Sequence, residues 1–157
     1  MSGPTQPVRR GTAALVSSVL FGFIMMGSLE LGNFYLSEHA LRKAVRDGAR
    51  FAARQSFVNY TACTGTPGGT VEADTRAVVM RSTRIPFWNA NTITVTHTCK
   101  TTAGTEAMKG IYKDFATGAP IVTVSATVPY TPVLASFGFR GIGLNLNAFE
   151  EAAVSGV

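Results

Sequence analysis

The chain has 157 residues, of which 46% are hydrophobic and only 15% are charged, and its net charge is +5. Soluble domains carry about 25% charged residues, so this composition excludes a disordered chain and suggests that part of the apolar surface faces lipid. The length allows one domain of roughly 100 residues together with a membrane anchor. The pattern predicts a basic leader, a transmembrane helix, a continuation of that helix and an exported domain, in that order, at residues 1–11, 12–36, 37–56 and 57–157.

Residues 12–29 contain no charged side chain and predict a membrane-spanning helix. Eighteen residues form about 27 Å of helix, close to the ~30 Å hydrocarbon core of a bilayer. A secretory signal peptide has a similar basic start, but this apolar run is long for one and no small-residue cleavage site follows it. We expect a retained single-pass helix with its N-terminus inside, although the basic residues after the span would alone favour the reverse orientation.

The helical pattern continues beyond the span. Arginines recur every fourth residue on one face, and apolar or small residues line another. No proline or turn cluster separates the two parts, so the sequence predicts one helix from about Thr12 to about Gln55. Its outer half carries small residues that would let another backbone approach closely: Ala40, Ala44, Gly48, Ala49, Ala52 and Ala53.

The pattern of residues 57–157 predicts a small domain of α+β class. A short helix is expected over residues 71–84, where Thr70 can cap its start. Three segments with a period of two follow, at residues 91–100, 120–130 and 141–149, and predict antiparallel strands laid on the helices. The charge-free residues 131–139 are apolar enough for an interaction surface or a membrane-contacting tip. The expected inward-facing residues are Ile93, Val95, His97, Cys99, Val122, Val124, Ala126, Val128, Ile142, Leu144, Leu146 and Ala148.

Cys63 and Cys99 are the only cysteines, and both follow the span. In an exported domain they favour one disulfide, which would close a loop of about 37 residues and contribute roughly 3–4 kcal/mol. Free thiols and half of a metal site are the alternatives. A metal site is disfavoured because no second cysteine or histidine stands at ligand spacing.

No residues form a recognisable catalytic motif, so we expect no enzyme and no cofactor. His39 and His97 are the only histidines, and we expect them to be packing or surface residues. The glycine-rich segments lack the lysine of a phosphate-binding loop. Residues 57–157 hold seven basic and six acidic residues, and no strand interleaves basic with aromatic residues. We therefore expect no nucleic-acid partner.

Three motifs in the first third of the chain point to one family. Arg9, Arg10 and Gly11 precede the apolar span, the sequence ELG at residues 30–32 lies near its outer end, and AVRDGAR at residues 44–50 follows. Over about residues 9–55 the chain resembles the TadE-like pseudopilins of tight-adherence (Tad) pilus systems. Beyond that range the likeness is only one of composition.

The resemblance implies a pilin-like α+β fold and a structural role in a Tad-type pilus or secretion assembly. A prepilin peptidase would cleave between Gly11 and Thr12, leaving a helix that anchors a periplasmic domain in the bacterial inner membrane. The expected partners are that peptidase, other pseudopilins and the lipid bilayer, and the same packing is compatible with a homo-oligomer. The helix positions expected to matter in assembly are Val16, Glu30, Gly32, Arg46, Gly48 and Arg50.

Two of these positions need separate comment. Type IV pilins carry a glutamate five residues after the cleavage glycine, which is understood to pair with the N-terminal amine of a neighbouring subunit, and here that residue is Val16. A buried ion pair of this kind can fix the register of packed helices, and valine cannot form it. The chain is therefore expected to be a minor or accessory subunit, or never to be processed. Glu30 is expected either to face water at the outer interface or to meet a basic residue of another subunit.

An alternative function remains open at this point. The chain could be an uncleaved, membrane-tethered module that binds an envelope or surface ligand, which the loss of the glutamate and the apolar 131–139 segment would favour.

Overall fold

A computed structural model describes residues 8–83, 92–100, 110–113, 118–137 and 143–156. The expected α+β class is confirmed, because a long apolar helix is followed by a small four-stranded antiparallel sheet. Short 3₁₀ helices lie at Phe57–Tyr60, Gly110–Tyr112 and Val133–Phe137. The main elements are α1 (Val8–Ala53), β1 (Thr64–Gly65), α2 (Val71–Ser82), β2 (Ile93–Lys100), β3 (Ala119–Pro129) and β4 (Asn145–Ala153).

The chain divides into two compact units. The anchor unit comprises Met1–Tyr35 and Thr131–Ile142, and the sheet unit comprises Leu36–Tyr130 and Gly143–Val157. Helix α1 supplies residues to both. The division along α1 therefore falls where the sequence predicts the end of the span, at residue 36.

Helix α1 begins four residues earlier than expected, at Val8. Pro7 directly precedes Val8 in the sequence, and a proline inside a helix would remove one of its backbone hydrogen bonds. Because no further proline follows until residue 67, the helix can form from this point onward. Arg9, Arg10 and Gly11 consequently lie in the first helical turn, before the expected helix start at Thr12.

The other end of α1 is Ala53, two residues before the expected end. The N–H of Arg54 donates to the oxygen of Phe51 at 3.2 Å, and the N–H of Gln55 donates to Ala52 at 3.0 Å. These bonds reach back three residues instead of four, which tightens the last turn and ends the helix.

The sheet has the order β1-β2-β3-β4, and every neighbouring pair is antiparallel. The alternation expected in β2 and β3 is observed: Ile93, Val95 and His97 are buried, and so are five alternate residues of β3, including the four that were expected. Cys99, also expected to face inward, is half-buried. The strand β1 has only two residues and was not expected. Its register pairs Thr64 with Thr98.

The expectation for the last strand was wrong at both ends. Leu144 precedes β4 and is 52% exposed, whereas it was expected to face inward; Ile142 lies outside the described residues. The strand then continues beyond residue 149 to Ala153. Over this length it pairs with the start of β3, where Ile121 lies opposite Ala153. Glu150 and Glu151, which would locally argue against a strand, have basic partners in α1 and β2.

Helix α2 begins at Val71, as expected, but its cap differs from the expectation. Thr70 occupies the cap position, but its hydroxyl makes no capping bond to the backbone. It donates instead to the carboxylate of Asp74 at 2.7 Å, while the N–H of Asp74 donates to the carbonyl oxygen of Thr70 at 2.9 Å. The helix ends at Ser82, two residues before the expected limit.

The core of the sheet unit joins the last third of α1, α2 and one face of the sheet. Most of the small residues of α1 that were expected to admit a neighbouring backbone are closed off inside this core. A disulfide joins Cys63 to Cys99 with their Cα atoms 4.9 Å apart, which confirms that prediction and links the segment before β1 to β2. The buried apolar residues include Leu41, Ala44, Val45, Ala49, Ala52, Val79, Ile93, Val95, Val122, Val124, Val128, Leu146 and Val154.

Candidate assembly and membrane surfaces

Between Leu15 and Leu36, helix α1 presents an apolar surface in which Glu30 is the only charged residue. An eighteen-residue stretch has a mean hydropathy of 1.8, and none of it is buried. The helix is thus long and apolar enough to cross a membrane, and removing this much apolar surface from water is strongly favourable. Its exposed large side chains are Leu15, Val16, Val19, Leu20, Phe21, Phe23, Ile24, Met25, Met26, Leu29, Leu31, Tyr35 and Leu36.

Val16 lies within this surface. It lines a shallow apolar groove with Leu15, Val19, Leu20 and Phe23 along one side of the helix. The groove can pack against acyl chains or another apolar helix, but it offers neither a charge nor a hydrogen bond. Val16 therefore cannot fix the register of a neighbouring helix through an ion pair.

Glu30 has a partner within the chain that the sequence did not suggest. Its Oε2 atom accepts a hydrogen bond from the backbone N–H of Leu134 at 3.1 Å, across 104 residues. Leu134 belongs to the 3₁₀ helix Val133–Phe137, and both residues are in the anchor unit. The sequence shows only that Glu30 is an isolated acid in an apolar stretch and that residues 131–139 carry no charge. No rule of sequence spacing predicts that these two features are in contact.

The two glycines expected to take part in assembly have different surroundings. A Cβ added at Gly32 would meet no atom within 4 Å, so this position is open. A Cβ added at Gly48 would overlap the Cγ2 atom of Val79 in α2 and touch Thr75. Gly48 is thus required by a contact inside the sheet unit, and Gly32 remains available to a partner.

A basic groove lies between α1 and β4 in the sheet unit, with a volume of about 720 Å³. Arg46 contacts Glu150 across it at 3.9 Å, and both side chains are about half exposed. Arg42 is held by Glu38 at 2.6 Å in the preceding turn. Arg50 is exposed one turn further along the helix. The groove is lined by His39, Arg42, Lys43, Arg46, Asn147, Ala148, Phe149 and Glu150.

The residues expected at the processing site are Arg9, Arg10, Gly11 and Thr12. Their backbone forms the first turns of α1. Cleavage between Gly11 and Thr12 stays a prediction.

The two histidines differ in environment. His39 is exposed and lines the basic groove. His97 is buried, its Nε2–H donates to the carbonyl oxygen of Ala62, and its ring meets that of Tyr60 edge to face with centroids 5.3 Å apart. Within the part of the chain that the structure describes, no three His, Cys, Asp or Glu residues are grouped as metal ligands.

Tyr60 joins the 3₁₀ helix Phe57–Tyr60 to the end of α1. Its hydroxyl donates to the carbonyl oxygen of Ala52 at 2.6 Å. The residue is only 1% exposed, and burial raises the pKa of its phenol from 10.0 to about 12. Tyr60 therefore fixes the end of α1 to the sheet unit as a neutral hydrogen-bond donor, which the sequence alone did not predict.

No family model, curated protein or solved structure matches this chain. The likeness to TadE-like pseudopilins consequently rests on the motifs between residues 9 and 55 alone.

Proposed function

We propose that the chain is a membrane-anchored, pseudopilin-like structural subunit of a Tad-type pilus or secretion assembly, in a minor or accessory position. The observation that carries this proposal is the division of α1 into two parts. Apolar side chains up to Leu36 are exposed, whereas the inner face from Leu41 onward is buried in the sheet unit. One helix thus offers a surface to lipid or other helices and also forms part of the core of a folded domain.

The proposed location is the bacterial inner membrane, with the sheet unit on the periplasmic side. The disulfide supports this orientation, because such bonds form and persist in oxidising compartments. The span has the length that a bilayer requires.

The minor role follows from Val16. An apolar residue at this position cannot supply the ion pair expected of a major filament subunit. The remaining contacts to other pseudopilins would come from the open position Gly32 and from the exposed basic residues Arg46 and Arg50. No catalytic step is part of this function.

The deciding experiment measures the intact mass of the protein recovered from its native membrane, which identifies its N-terminal residue. We expect a chain that starts at Thr12, and we expect Gly11→Val to leave the leader attached. Gly22→Val is the matched control, because it makes the same change in the same helix at a position with open space around it. A wild-type chain that starts at Met1 or Ser2 would contradict processing and favour the uncleaved tethered module.

Assembly is tested separately by cross-linking in the native membrane. We expect wild-type protein to be captured with other pilus components and Arg50→Glu to be captured several-fold less. Arg81→Glu makes the same charge change at an exposed position of α2 and should have no effect. Absence of every pilus component from the wild-type sample would refute the proposed role.

A further inference from the structure

Residues 131–137 leave the sheet unit and become part of the anchor unit. The strand β3 ends at Pro129, and the N–H of the next residue, Tyr130, donates to the carbonyl oxygen of Leu144 at 2.8 Å. This bond closes the base of an excursion between β3 and β4. Beyond it, the described residues up to 137 belong to the same compact unit as the first part of α1.

The attachment point on α1 is Glu30, and it lies inside the apolar surface, not past its end. Leu29 and Leu31 on either side are both more than half exposed. Exposed apolar residues continue to Leu36, six residues further, which corresponds to about 9 Å of helix. The residue bonded to Glu30 therefore lies at a level of the helix where the surrounding surface is still apolar.

The hydrogen bond between Leu134 and Glu30 gives a partner to two polar groups that an apolar environment would otherwise leave without one. A carboxylate in an apolar layer is costly without a partner, and so is a backbone N–H that water cannot reach. Leu134 is the second residue of its 3₁₀ helix, and the first N–H groups of a helix have no acceptor within it. The bond from Leu134 to Glu30 satisfies both groups at once.

The composition of the segment agrees with an apolar environment. Residues 131–137 read TPVLASF and contain no charge. Pro132 has no N–H to satisfy. Val133 is 56% exposed, so its side chain is available to a medium outside the protein.

We propose that residues 131–137 form a second membrane-contacting element, which lies in the outer layer of the bilayer beside α1. Val133 contacts lipid, and Glu30 holds the segment to the helix through the N–H of Leu134. This inference rests on the membrane span in the proposed function. Lipid is the expected contact of the segment, because the segment is attached within a surface that the span itself presents to lipid.

The test uses full-length protein in phosphatidylcholine vesicles with the native disulfide intact. A single cysteine that carries the fluorophore NBD is placed at one of three positions, and quenching by nitroxide-labelled lipids is measured. Val133→Cys reports on the segment and Leu20→Cys reports on the span. Val58→Cys is the matched control, since Val58 is also an exposed valine in a 3₁₀ helix but belongs to the sheet unit.

We expect lipid nitroxides to quench the probes at residues 20 and 133 at least twofold and the probe at residue 58 hardly at all. A shallow nitroxide should quench residue 133 more than a deep one, and the order should reverse for residue 20. Glu30→Ala should lower quenching at residue 133 at least twofold and leave residue 20 unchanged. Glu30→Gln retains an oxygen acceptor and should preserve quenching at both.

The failures of the two proposals are distinguishable. Quenching at residue 20 without quenching at residue 133 would overturn this inference alone. A probe at residue 133 with apolar emission that lipid nitroxides do not quench would also overturn it, because a protein would then cover the segment. An unquenched probe at residue 20 would refute the membrane span and this inference together. Unchanged quenching at residue 133 in Glu30→Ala would overturn the assigned attachment.

Discussion

Gly48 of α1 faces Val79 of α2 with no room for a side chain between them. Val79 is fully buried, and a β-branched residue in a helix has essentially one rotamer, so its methyl group cannot turn away. The contact between the two helices thus depends on a glycine at position 48. The glycine of the AVRDGAR motif therefore has a role in the packing of α1 against α2 within one chain, independent of any contact with another subunit.

The first prediction concerns this contact. Gly48→Ala should destabilise the sheet unit by about 1–3 kcal/mol through overpacking, in spite of alanine's better helix propensity. Val79→Ala removes the opposing methyl groups, so the double variant should be more stable than the sum of the two single effects by at least about 0.5 kcal/mol. Denaturant unfolding in detergent micelles, followed by circular dichroism, measures all three. Strictly additive effects would contradict the steric argument.

Gly32 provides the opposite case. A side chain at this position meets open space, so Gly32→Ala should leave the stability of the isolated protein unchanged or raise it by up to about 1 kcal/mol. If Gly32 packs against another subunit, the same substitution should reduce cross-linking in the native membrane. The pair of measurements separates folding from assembly. Unchanged cross-linking would remove Gly32 from the proposed interface.

Strand alternation shows how much the sequence could reveal. The period of two in β2 and β3 correctly predicted which face of each strand is buried, because each strand needs only one apolar face. Cys99 is the exception, since it was expected to face inward and is only half-buried. The extent of β4 could not be found in this way. Two consecutive acidic residues, Glu150 and Glu151, locally indicate that the strand ends before them. Their ion-pair partners, Arg46 and Lys100, are distant in the sequence.

The same limit applied to the candidate surfaces. Composition alone located the apolar span, and two cysteines in an exported domain favoured the disulfide that the structure contains. The partner of Glu30 could not be inferred, because a backbone N–H has no signature in the sequence. Nor could the sequence show that Gly48 packs against Val79, since no pattern in α2 indicates which part of α1 it contacts.

The burial of Tyr60 predicts that the folded protein loses stability at alkaline pH. The folded state raises the pKa of its phenol to about 12, above the value of 10.0 expected when unfolded. Between these pH values the folded chain holds a proton that the unfolded chain has lost, so stability falls as pH rises from about 10 to about 12. The expected loss is about 2–3 kcal/mol.

The measurement compares wild type with Tyr60→Phe. The phenolate absorbance difference between them should have its midpoint near pH 12, and the variant should lack this component of the alkaline destabilisation. At neutral pH the variant should be less stable by about 1 kcal/mol, since the carbonyl of Ala52 loses its donor. A difference midpoint near pH 10 would show that the phenol is not buried as described.

The disulfide gives the largest predicted effect. Replacing Cys63 and Cys99 together by serine should lower the free energy of unfolding by roughly 3–4 kcal/mol, because the open loop gains conformational freedom when unfolded. Reduction of the wild-type protein should have a similar effect, measured by the same denaturant titration. The doubly substituted chain should not respond to the reductant. Equal stability with and without the bond would contradict the prediction.

The carbonyl oxygen of Ala53, at the end of α1, accepts hydrogen bonds from both the N–H and the hydroxyl of Ser155, at 2.7 and 3.2 Å. These residues are 102 positions apart, so α1 leaves the ribosome long before its cap has been synthesised. Until β4 and Ser155 follow, the sheet that packs on the inner face of the helix is incomplete. The order of biosynthesis thus delays completion of the sheet unit until after the span has been synthesised.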